Sequence, residues 1–151
     1  MQPDHRPAEP RQFEHAIALL ARPHDIRSLT LPSMHLVMAM RLCALMARAR
    51  KDPVAELAVR LGSVSTACHV HDLSQAISRC WPEAYVASRA CCMALTPDEV
   101  TLAAMARFAL SGDREGFGAA ITGFIRADRH ELLHTTTVTV VTALVALAPR
   151  G

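Results

Sequence analysis

Aromatic side chains are scarce in this chain of 151 residues: one Trp, one Tyr and four Phe. The apolar half is mostly Ala, Leu, Val and Met, and a core of small aliphatic side chains suits closely packed helices. Charge is also in short supply. Charged residues make up 20% against 51% apolar, a balance that excludes disorder. The net charge of +2, histidines neutral, is too small to imply nucleic acid or an anionic membrane as a partner. Lys51 is the only lysine, a bias of genome composition rather than of function. No Gly-rich phosphate loop follows a strand, no nucleophile elbow is present, and no aromatic-basic interleaving suggests RNA. Neither a fixed-period repeat nor a low-complexity linker divides the chain.

The length is one domain's worth, enough to bury a core without disulfide staples. Residues 1–12 read as a polar, Pro-rich leader and 13–149 as a single helical domain. Met1 to Glu14 has no apolar core and so reads as neither secretory signal nor membrane anchor. The longest uncharged run, Leu132 to Pro149, holds five threonines and His134. It reads as a buried helix, with a tail anchor as the second reading of the same run. Five cysteines, an odd number without a secretion signal, point to free thiols in a reducing cytoplasm.

Apolar spacing predicts a first helix over Phe13 to Ala21 and a second over Met34 to Arg50. The second carries a stripe of Met34, Val37, Met38, Leu42, Leu45 and Met46. Asp52 and Pro53 open a third helix, Val54 to Leu61, that stops at Gly62. Shorter helices are expected over Asp72 to Arg79 and Pro82 to Ala90. Thr96-Pro97-Asp98-Glu99 is the clearest start, with a Thr cap, Pro at the first position and Glu99 placed for a capping box. That helix runs to about Leu110, ending at Ser111-Gly112. Asp113 caps Arg114 to Ala127, and Asp128 caps a last helix from Arg129 to about Ala148. Within it Thr135 to Thr142 is eight β-branched residues in a row, costing roughly 4 kcal/mol against alanine. Alone this run reads as a strand. No other segment offers it a partner, and Leu133, Thr137, Val140, Val141, Leu144 and Ala148 follow helical spacing, so helix is expected. The fold class is therefore all-α: a single-domain irregular bundle of six or seven helices.

Two constellations could carry chemistry. His130-Glu131-Leu132-Leu133-His134 spells H-E-x-x-H, in which two histidines one helical turn apart hold zinc and the glutamate deprotonates its water. His130 and His134 are the candidate zinc ligands and Glu131 the candidate catalytic base of a hydrolase. A third ligand is required, and after His134 the chain has no His, Asp, Glu or Cys. Solvent-facing histidines on an amphipathic helix are the preferred reading. A single E-x-x-H also falls short of the two that a di-iron bundle needs. The second constellation is thiol-rich: Cys68-His69-Val70-His71, Cys80, and the vicinal Cys91-Cys92. Without C-x-x-C spacing, core packing of small hydrophobes is the preferred reading. The alternative is a metal or redox sensor at Cys91 and Cys92. Arg41, Arg48, Arg50, Lys51 and Arg60 cluster round one helix end, where positive charge complements the helix dipole.

From Pro82 onwards a short helix, Cys91-Cys92, then Thr96-Pro97-Asp98-Glu99 opening an Ala/Leu/Met-rich helix resembles a family of small alphaproteobacterial helical proteins. In that family a cysteine pair precedes a Thr-x-x-Glu helix start. The resemblance implies weight for the cysteine pair and no activity. Together these readings lead to a non-enzymatic helical interaction or regulatory protein of the bacterial cytoplasm, with no resident cofactor and zinc as the one candidate metal. The Met- and Ala-rich stripes on Met34 to Arg50 and Val100 to Leu110 are compatible with a homodimer. A zinc hydrolase and a thiol sensor are the alternatives.

Overall fold

A computed structural model of the chain describes residues 24–149. The leader and the helix expected over Phe13 to Ala21 lie outside the described residues. Within them are six α-helices: α1 Leu31–Arg48, α2 Val54–Leu61, α3 Val64–Cys80, α4 Pro97–Ser111, α5 Arg114–Ile121 and α6 His130–Ala146. Single 3-10 turns precede α1 (Ile26–Ser28) and α6 (Ala127–Arg129). The described residues contain no strand, only an isolated bridge between Asp25 and Ala94. No helix among them is long and apolar enough to cross a membrane.

Helix α6 lies against α3 and α4, α2 folds back on α3, and α1 packs across α4, α6 and α3. One core joins them, with Leu36, Leu73, Leu102, Met105, Phe117 and Leu133 among its fully buried side chains. The β-branched run is helical. Leu133, Thr137, Val140, Val141 and Leu144 form its buried stripe, as the spacing predicts, while Ala148 lies exposed beyond the helix end. The Thr136, Thr137 and Thr139 hydroxyls donate to the carbonyls four residues earlier, at 2.6, 2.6 and 2.9 Å. Their polar atoms are thus satisfied inside the helix at no cost in burial.

Several boundaries differ from expectation. Helix α3 starts eight residues before Asp72, where the Ser63 hydroxyl accepts from Thr66 N–H at 3.1 Å. Packing against α2 and α6 outweighs the weak propensity of Val64-Ser65-Thr66. No helix forms over Pro82 to Ala90. That segment runs extended or irregular, as part of an arm over residues 82–96. Helix α5 ends at Ile121 rather than Ala127: Thr122 turns extended, and Gly123 follows with a positive φ of 97°. Asp128 pairs with Arg126 at 3.0 Å instead of capping α6. The stops at Gly62 and Gly112 hold, both left-handed at φ 69°. Gly116 allows α5 to meet α4: a Cβ there would lie 2.6 Å from the Phe108 ring.

The stripe on α1 is rotated from the expected one. Leu36, Val37, Ala39, Met40 and Cys43 face the core, whereas Met38 and Leu45 are 38% and 56% exposed. On α4, by contrast, Leu102, Ala103, Met105 and Ala106 are all buried, so that Met- and Ala-rich stripe is core.

Candidate functional site

Arg41 sits in the middle of α1 among aliphatic neighbours and is 3% exposed. Its Nε and Nη2 donate to the two carboxylate oxygens of Glu99, at 2.7 and 3.0 Å. Nη1 donates to the carbonyls of Arg89 (3.2 Å) and Cys92 (2.7 Å), and Nη2 also to that of Ala94 (3.2 Å). Every N–H of the guanidinium is thereby used. Glu99 accepts two further bonds, from the N–H groups of Ser88 and Thr96, both at 3.0 Å. Burial pushes the Glu99 carboxyl up, but Arg41 and those backbone donors outweigh it and hold it below the ordinary glutamate range. The same bonds raise Arg41 further.

This pair fixes the arm. Thr96 completes the expected capping box and also donates to the Val86 carbonyl at 2.6 Å. Asp98 accepts from the Trp81 indole at 3.0 Å and from Val86 N–H at 2.8 Å. The first turn of α4, read from sequence as a helix start, is therefore also the anchor of residues 82–96. Trp81 meets Tyr85 and Phe124 edge-on at 5.8 and 5.4 Å. The Tyr85 hydroxyl is buried and finds no hydrogen-bond partner among the described residues, and burial beside Glu99 and Asp98 pushes its pKa up.

Between α1, α2 and the arm lies a groove of about 330 Å³. Its apolar surface comes from Met38, Leu42 and Leu45 on α1 and Leu57 and Leu61 on α2, and its far wall from Ser88-Arg89-Ala90. Arg48, Arg60 and Arg89 stand around it with His35. Of the basic group grouped by sequence at one helix end, Arg41 is an interior residue and Arg48 and Arg60 border the groove. The signal for the first was available: one arginine inside an otherwise apolar helical segment.

The residues singled out for chemistry lie elsewhere. Glu131 pairs with Arg114 at the start of α5. The His130 Nε2 is 3.0 Å from the Ile125 carbonyl. The His134 ring meets Phe117 edge-on at 4.9 Å, and burial, with Arg114 nearby, lowers its pKa. Among the described residues no three His, Cys, Asp or Glu side chains gather as a metal site would require. All five cysteines are free thiols. Cys43 and Cys80 are buried, and burial pushes Cys43 up to about 11. Cys91 is exposed and Cys92 half-buried, at a turn closed by Cys92 N–H to the Arg89 carbonyl at 3.0 Å. That turn adjoins the groove wall. Comparison of the chain with models of known protein families, with curated proteins and with solved structures finds no match in any of the three.

Proposed function

We propose that the protein is a non-catalytic helical binding and regulatory protein of the bacterial cytoplasm, and that its binding surface is the groove between α1, α2 and the arm. One observation carries this reading. Met38 and Leu45 are large apolar side chains left open beside a concavity, while a fully hydrogen-bonded buried ion pair holds its far wall in place. An open apolar surface on a preformed, rigid frame is the usual form of a binding site. The uncharged dye Nile red tests the surface. It brightens and saturates at one dye per chain with the native protein, and Leu45→Glu abolishes the signal while leaving thermal unfolding unchanged. No brightening, or an undiminished signal in that variant, overturns the reading.

A thiol-based sensor at Cys91 and Cys92 is the second reading. It is favoured by the position of the pair in a turn whose carbonyls Arg41 holds, so that a thiophilic metal on the thiols would disturb the groove wall. Zinc content of the purified protein, compared with a Cys91→Ser/Cys92→Ser variant, tests it: a bound equivalent lost with the pair supports it.

A further inference from the structure

We infer that the groove beside α1 takes a small amphipathic carboxylate, its alkyl or aryl body lying on Met38, Leu42 and Leu45 and its charge among Arg48, Arg60 and Arg89. This rests on the groove being the binding surface and adds the chemical class of its ligand. The charge around the cavity has one sign. Among the described residues, the ionisable side chains that line it are His35 and four arginines, with no acidic residue.

The arginines are not equivalent. Arg41 is matched by Glu99 and is spoken for. Arg60 shares an exposed pair with Glu56 at 2.9 Å, an interaction weak enough to be exchanged for a ligand. Arg48 and Arg89 have no carboxylate within ion-pair distance among the described residues. Two available guanidiniums beside an apolar floor match a carboxylate joined to a hydrocarbon, because the planar fork binds carboxylate oxygens in a fixed geometry. The volume, about 330 Å³, lies at the lower end of small-molecule pockets, which span roughly 300–1,000 Å³. It suits one short chain or ring system rather than a long lipid. A second copy of this protein is a poorer occupant, since symmetry would bring its arginines towards these.

The test is displacement of Nile red by three ligands of equal chain length: decanoate, decanol and decyltrimethylammonium. Decanoate displaces the dye at the lowest concentration, decanol less well and the cation least. Arg48→Gln with Arg89→Gln, both side chains exposed, weakens decanoate by about tenfold and leaves decanol unchanged. Circular dichroism confirms that this variant folds. Equal displacement by all three ligands, or no effect of the arginine variant, overturns the carboxylate assignment while the groove itself stands through its Nile red signal. A concentration-dependent dimer in sedimentation that excludes the dye also overturns it, by giving the groove to a second copy.

Discussion

Arg41 and Glu99 lie 58 residues apart in sequence and 2.7 Å apart in space, and together they tie α1, the arm and the first turn of α4 into one unit. Ion pairs this deeply buried give little net stability over an apolar replacement, but removing one partner leaves the other charged and dry. Glu99→Ala is therefore expected to cost about 3–5 kcal/mol, read from urea denaturation. A loss below about 1 kcal/mol would mean that solvent reaches Arg41.

The pair also sets an acid limit. Because the Glu99 carboxyl is held below its ordinary range in the folded chain, the unfolded chain takes up the proton first. The stabilisation is complete above roughly pH 4.3 and is lost as pH falls through the lower folded value. His134 acts in the same direction at higher pH: its folded pKa is lowered by burial and by Arg114, so its contribution begins to fade below about pH 6.5. An imidazole titration by NMR is expected to place His134 below a free histidine. A midpoint at or above the free value contradicts this environment.

Much of the architecture was legible where local chemistry and packing agree. Gly62 and Gly112 stop their helices, and Thr96 with Glu99 closes a capping box. Legibility failed where tertiary contacts overrule local preference. The N-terminal half of α3 is poor in helix formers and is held by neighbours. Pro82 to Ala90 has some helical pattern, yet its backbone donors are taken by Asp98 and Glu99. The groove was hidden for a related reason. Its floor belongs to the apolar spacing of α1, and only the rotation of that helix, with Arg41 turned inward, leaves Met38 and Leu45 outside the core.

Helix α6 offers a direct check on the threonine run. Thr135, Thr139 and Thr142 are exposed, so replacing each by alanine is expected to stabilise the protein by roughly 0.5 kcal/mol. Thermal unfolding reads the gain. Destabilisation by all three would contradict a helix there.

Thiol reactivity is expected to divide the cysteines. Cys68 and Cys91 are exposed, whereas Cys43 and Cys80 are buried and burial raises both. Iodoacetamide followed by peptide mass spectrometry should modify Cys68 and Cys91 first and leave Cys43 until the chain unfolds. Early labelling of Cys43 contradicts the packing of α1 on α3.

Backbone amide NMR during titration with decanoate tests the groove most directly. Shifts confined to His35–Arg48, Leu57–Leu61 and Ser88–Ala90, saturating at one ligand per chain, are the expected result. Shifts centred on His130–His134, or scattered weakly over the surface without saturation, would contradict it.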